Sequence, residues 1–542
     1  MLRHSDMSGN SQVKPASLDR QAEQAEQAEQ ARPGQTARPR AAVAALRRLW
    51  PAALRRHWPA VVLLTAGLVL RVLAELAYRP ALFYIDTTRY LYNADGMDPV
   101  GYKAALRAIL LAGNFDAVAA VQHLLGLAMA VVLYLLLLRR GVSRWLAALA
   151  IAPVLLDSYQ LQIEQTIMPD TWFEALIVAG LAILLWQPTR RESGGVAPPG
   201  TGTARGSAGA VPPRAGPSWR RAVAAGIVLG TSATVAQVGE ALILPAVIYL
   251  LAAGGGWRQA IGKTAALCAA FALPIVAYCT GSYLLTGDFF LSHSGVTSFY
   301  GRMAAAADCA TIRLPAAERG MCPTMPQQAK GPDWLEYGDG SPIRPYYSGL
   351  PRAEVDSLIS DFNHRVLTQQ PLRVVDAYAR DALKPFALTR DGRQGDTIIA
   401  RWQFQTKFPY YPPHASEAVV KTAVGRYGGG PPSVWRPVAA FLRSYQLDGG
   451  YTPGPLLALF TLAGLAGSAA LLRRRRRADP GTRQLALACL ALFTAAAAVT
   501  LVSDAFEFSW RYQLPALVTL APAGALGIGV IVRSIRTHGS SA

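Results

Sequence analysis

Residues 84–102 read YIDTTRYLYNADGMDPVGY and follow closely on an apolar run at about 58–77. The stretch holds three aspartates and four tyrosines. Ionisable groups at that density are too costly for lipid, so the chain leaves its first apolar segment and at once presents carboxylates, rings and a turn at a membrane surface. A plain connector needs none of that chemistry.

The rest of the chain supplies the membrane setting. Of 542 residues, 52% are hydrophobic and 16% charged, against about 25% charged in soluble domains. Apolar runs recur near 58–77, 117–138, 145–158, 167–186, 221–237, 240–254, 262–285, 453–472, 484–502 and 514–533. They predict an all-α polytopic membrane protein with about ten spans. The formal charge of +19 could suggest nucleic acid. Nucleic acid is rejected as a partner, because arginines cluster at the ends of apolar runs, where they orient helices. Arg outnumbers Lys 46 to 7, which fits a GC-rich bacterial genome and hence a bacterial plasma membrane.

Basic connections set the orientation. With the N-terminus inside, RRGVSR (139–144), the Arg/Gly/Pro-rich 187–220, GGGWRQAIGK (254–263), RRRRRADPGTR (473–483) and the tail all fall on the cytoplasmic side. Both termini are then cytoplasmic. Residues 1–45 are of low complexity and read as a disordered tail. Residues 46–285 form an N-terminal membrane module with a first outer loop at 78–116 and a cytoplasmic linker at 187–220. Residues 286–452 are too many for a passive connector; amphipathic patterns such as PRAEVDSLISDFNHRVL predict a mainly helical extracytoplasmic domain. Residues 453–535 hold the last spans. Cys309 and Cys322, outside and close in sequence, predict a disulfide, with two free thiols as the alternative.

Carboxylates gather on the outer side: Asp86, Asp95, Asp98, Asp157, Glu164, Asp170, Glu240, Asp504 and Glu507. Several have ordinary structural readings. Asp170 follows Pro169 at a helix start, Asp98 precedes a turn proline, and Asp157 closes a helix. Glu164 lies between apolar residues near membrane level, where an ionisable group is a functional hypothesis. Asp86 sits among Phe83, Tyr84, Ile85 and Tyr90. Arg511, Arg302, Arg89 and Lys103 are the outer cations; Arg511 either holds an anion or snorkels to headgroups. No Walker A, HExxH or GxSxG motif is present.

The layout resembles the GT-C superfamily of polyprenyl-phosphate-sugar-dependent glycosyltransferases, which includes protein O-mannosyltransferases, aminoarabinose transferases and arabinofuranosyltransferases. The likeness rests on YIDTTRYLYNADGMDPVGYKAALRAIL as a first outer loop, with DPVGY similar to the family's Pro-Gly-Tyr turn. It rests also on LQIEQTIMPDTWF as a second acidic site, on the large outer domain and on WRYQLP at the last span. It covers most of 55–535 as a layout, and only short pieces as motif. The resemblance implies transfer of a sugar from a polyprenyl-phosphate donor to an acceptor hydroxyl on the outer face, with inversion. It implies Asp86 as general base, Glu164 and Asp170 as positioning acids, and Arg511, helped by Arg302, on the leaving phosphate. Tyr102 and Lys103, in and beside DPVGY, would contact substrate. The acceptor would be an envelope glycan, lipid or protein, and membrane lipids would surround the spans. No cofactor is certain. Some relatives bind a divalent metal at the first loop, and Thr87 departs from their two-acid pattern. A lipid-linked-glycan transporter or flippase is the alternative function.

Overall fold

The computed structural model describes residues 54–92, 101–186, 216–253, 256–292, 295–473 and 480–539. The 1–45 tail, most of the 187–220 linker, Asp95 and Asp98 lie outside the described residues.

Each of the ten apolar runs is helical. Six helices are long and apolar enough to cross a membrane: Trp58–Ala77, Phe115–Arg139, Trp257–Thr286, Gly454–Leu472, Pro480–Asp504 and Trp510–Arg536. The chain is thus a multi-pass membrane protein. The other four runs are shorter. Arg144–Leu156 has 13 residues and stops at Asp157, whose extended backbone restarts the chain as Ser158–Gln165. The two pieces meet at 48° and together are long enough for a seventh span. Asp170–Leu185, Trp219–Val235 and Ile243–Ala253 have 16, 17 and 11 residues.

Helix contacts follow from small residues. Gly226 and Gly230 lie one turn apart on Trp219–Val235, and a Cβ at either would strike the backbone at Leu267 or Phe271 of Trp257–Thr286. Two helices can approach that closely only without a side chain between them.

The 286–452 segment contributes to two hydrophobic clusters. One is built within residues 299–378, where Tyr300, Met303, Val355, Ile359, Phe362 and Val366 are buried together. The Cys309–Cys322 disulfide closes a loop beside it. In the other, Phe404, Ala439 and Leu442 pack on Leu70, Ala74, Tyr78 and Leu161. A two-residue antiparallel pairing of Tyr78–Arg79 with Ser433–Val434 fixes the same junction. Burying these apolar side chains, at about 1.5–3 kcal/mol each, holds the late part of the segment against the end of the first span.

Candidate active site

The first loop is set by backbone pairing. Leu82 N–H donates to Gln165 O and Ile167 N–H to Leu82 O, both at 3.0 Å, an isolated parallel bridge of Leu82 with Thr166. The chain then turns at Tyr84–Thr87. The Thr87 hydroxyl accepts from Tyr84 N–H at 2.9 Å and donates to Ile167 O at 3.1 Å. Thr87 is fully buried. Asp86, at the tip of this turn, and Asp170, three residues past Ile167, are thereby carried by one clasp.

Both carboxylates face Arg511. Its Nε donates to Asp170 Oδ1 at 2.7 Å, and its Nη1 stands 3.6 Å from Asp86 Oδ2. The first is a charge-assisted hydrogen bond; the second is an ion pair longer than one. Arg89 Nη1 is 3.6 Å from the other Asp86 oxygen. Asp86 keeps 21% of its side chain open, against 9% for Arg511. Asp170 Oδ2 is buried and has no hydrogen-bond partner among the described residues.

Aromatic rings and further charges stand beside this triad. Arg511 lies over Trp402 at 5.4 Å and over Tyr512 at 5.2 Å, a cation–π environment. Tyr84 packs on Trp402 and Tyr411 with centroids 4.6 and 5.3 Å away. Arg401 Nη1 reaches Asp333 Oδ2 at 3.3 Å and the Tyr84 hydroxyl at 3.4 Å. Burial raises the Asp333 carboxyl above its ordinary range; Arg401 lowers it and Asp86 raises it further. Glu336 and Glu507 are half-buried acids that interact with Asp333. Burial lifts Glu336 to about 7. Burial, then Asp333 and Glu336, push Glu507 up to about 8.

The other residues singled out in the sequence lie elsewhere. Glu164 is fully buried and both oxygens are taken. Oε1 accepts from Arg71 at 2.8 Å and Gln160 at 3.2 Å, and Oε2 meets His123 Nδ1 at 3.0 Å. Gln122, from the same helix as His123, donates to Glu164 O and Thr166 O. Glu164 therefore sits in a separate network that secures Ser158–Gln165. Tyr102 is buried and donates to Gln122 Oε1 at 3.1 Å; Lys103 is buried on the same helix. Arg302 pairs with Asp381 at 2.5 Å and is not brought to Arg511. Asp157 takes a two-pronged pair from Arg390 at 3.2 and 2.7 Å.

Among the described residues no group of three or more His, Cys, Asp or Glu is placed to hold a metal ion. At the first loop Thr87 stands where a second acid would be, and both hydrogen-bonding functions of its hydroxyl are used. The described residues of the first loop do not fit a metal site of the two-acid kind.

No protein-family profile and no curated protein matches the chain. Solved structures do. The chain is similar to the Archaeoglobus fulgidus oligosaccharyltransferase AglB, solved with an inhibitory peptide and a dolichol-phosphate, at 15% identity and a TM-score of 0.39 over 90% of this chain and 52% of that one. A second structure of the A. fulgidus oligosaccharyltransferase, tethered to an acceptor peptide, gives 13% identity and a TM-score of 0.40, over 90% and 51% of the two chains. The Saccharomyces cerevisiae protein O-mannosyltransferase Pmt1–Pmt2 complex, bound to its sugar donor, gives 16% and 0.30, over 46% and 36%. The chain spans about half, or less, of the length of these proteins.

Arg401, Asp333 and Trp402 carry no signal in the sequence. Arg401 lies 317 residues from Tyr84, in ARWQFQ, a stretch without a motif. The packing of Phe404 on Tyr78, rings stacked at 5.5 Å, helps to place Arg401 and Trp402, and Asp333 is carried by a helix whose Leu335 is buried in the 299–378 cluster.

Proposed function

We propose that the chain is an integral membrane glycosyltransferase of the GT-C kind. It moves a sugar from a polyprenyl-phosphate donor to an acceptor hydroxyl on the extracytoplasmic face. The observation that carries this reading is the meeting of Asp86 and Asp170 on buried Arg511, from three segments distant in sequence, one of which opens the membrane-length helix Trp510–Arg536. A lipid-borne donor and a water-side acceptor can meet only at such a level.

Chemistry follows from the geometry. Asp170 holds the Nε edge of the Arg511 guanidinium and so sets its plane; the fork is aimed before any ligand arrives. As the bond from the anomeric carbon to the phosphate oxygen breaks, negative charge grows on the phosphate. A preorganised guanidinium stabilises that charge without reorganisation. Asp86, the more open of the two acids, accepts the acceptor's hydroxyl proton while its oxygen attacks from the opposite face. The sugar leaves inverted, the proton rests on Asp86, and the polyprenyl phosphate departs from Arg511. Tyr84, Trp402 and Tyr411 wall the space and keep water low.

Purified protein incubated with a panel of polyprenyl-phosphate sugars should release polyprenyl phosphate from at least one, in an acceptor-dependent way. Release from none, with the chain intact and a broad acceptor mixture present, would reject transferase activity.

A further inference from the structure

A second concave site lies in the 299–378 part of the chain, remote in sequence from Asp86, Asp170 and Arg511. Its volume is about 650 Å³, within the size range of small-ligand pockets. The Cys309–Cys322 disulfide and the apolar Ile312 and Leu314 form part of its lining, and three guanidiniums, of Arg313, Arg319 and Arg365, stand around it.

The charges are not cancelled. Arg313 and Arg319 are exposed and make no ion pair among the described residues. The two nearby acids are engaged: Glu318 is buried and pairs with Arg365 Nε at 3.1 Å, and Asp308 pairs with Arg373 at 2.9 Å. Glu318 takes the Nε of Arg365, which also lines the cavity. The loop is held in shape as well. Gln369 accepts from Arg313 N–H at 2.9 Å and donates to Arg313 O at 3.2 Å, and the Tyr346 hydroxyl donates to Ala317 O at 2.8 Å. Arginines on a braced loop lose less entropy on binding than arginines on a free one.

We propose that this cavity binds an oxyanion group, phosphate or carboxylate, borne by a ligand whose apolar face rests on Ile312 and Leu314. Planar guanidiniums recognise such oxygens in pairs, and the disulfide fixes the wall they work from. None of the residues assigned to transfer lines the cavity, so the site stands or falls apart from that activity.

Binding is measured by calorimetry on the detergent-purified full chain with pyrophosphate, a uronate-containing trisaccharide and a neutral trisaccharide. Both anions, or one of them, should bind saturably, more weakly as salt rises, and the neutral sugar should not. Binding of pyrophosphate alone names a phosphoryl ligand; binding of the uronate alone names an acidic glycan. The double variant Arg313→Gln/Arg319→Gln changes only exposed side chains and should lose about tenfold or more in affinity with an unchanged melting temperature. Arg511→Lys, at the other site, should bind the same anion as the parent does. Equal binding by parent and double variant, loss of binding in Arg511→Lys, equal binding of the neutral sugar, or no saturable binding up to about 10 mM would each overturn the proposal.

Discussion

Two arginine–carboxylate clusters of this chain look alike in sequence and differ in what they leave undone. At Arg71, Glu164 is fully enclosed and each of its oxygens is bound, by Arg71, Gln160 and His123. Arg71 also donates, through its terminal nitrogens, to the carbonyls of Gly67, Val154 and Leu155. At Arg511, one Asp170 oxygen has no hydrogen-bond partner among the described residues, and Asp86 stands off at 3.6 Å with a fifth of its surface open. A carboxylate with both oxygens filled, like that of Glu164, has nothing left for a ligand and serves to hold helices in place. A cluster with a spare oxygen and a long ion pair is one that a ligand can complete. The difference lies in completeness rather than in residue type.

The largest effect expected is at the open cluster. Asp86→Asn keeps shape and removes the charge that takes a proton, which is worth about a hundred- to ten-thousand-fold in rate. Transfer should fall by that much while yield and melting temperature stay near parental. Turnover close to parental would return Asp86 to the role of an interfacial anchor. At the closed cluster the loss should fall on stability. Glu164→Ala leaves Arg71 enclosed without its acid, at a cost of about 3–5 kcal/mol. Thermal unfolding in detergent should show it, together with a collapse in yield; a well-folded but inactive Glu164→Ala protein would erase the contrast between the two clusters.

Smaller effects sharpen the comparison. Arg511→Lys keeps the charge and loses the planar fork, so transfer should drop by roughly tenfold to a hundredfold, below the cost of deleting an oxyanion donor. An equal rate in donor turnover would mean that Arg511 serves only to hold Asp170 and Asp86 in place. The smallest effect concerns the acids beside the open cluster. Glu507 is raised from the ordinary 4.5 to about 8 by burial, so between those values the folded chain holds a proton that the unfolded chain has lost. Its stabilising contribution is full below about 4.5 and gone above about 8, and stability falls as pH rises through that window. Melting temperature should decline from about pH 5 to 8.5, and the decline should be shallower in Glu507→Gln. Equal slopes would show that Glu507 ionises freely in the folded chain.

Much of this was legible in the sequence, for physical reasons that differ from place to place. Apolar runs of span length announce helices, and Trp58–Ala77 and Phe115–Arg139 match closely the runs read for them. The pairing of Cys309 with Cys322 followed from their spacing and setting. Asp86 stood out by its aromatic surroundings and Arg511 by its place before the last span, whereas Asp170 had an ordinary helix-start reading and entered through the family resemblance; the structure brings the three together. Glu164 stood out as an ion among apolar residues, and the structure places it with Arg71 and His123; composition reports that an ion is enclosed and not which groups bind its oxygens. Asp157 ends one helix and caps the next, accepting from Tyr159 N–H at 3.0 Å, so the run read as a span over 145–158 stops there and the chain continues as a second, bent helix, Ser158–Gln165. Arg401, Asp333 and Trp402 reach the site through tertiary packing alone, which no local pattern encodes.

The Leu82–Thr166 bridge sets the tolerance of the whole assembly to insertion and deletion. Two backbone bonds and one hydroxyl hold the turn that bears Asp86 to the strand that leads to Asp170. Span lengths elsewhere can drift by a residue, and tilt can absorb the change. Between Ile167 and Asp170 there is no such slack. One added residue there would displace a carboxylate by about 3.3 Å, more than the length of the bond it makes to Arg511. Variation among chains of this design should therefore collect in the spans and long segments and stop at these few positions, where the fold is gauged like a ruler.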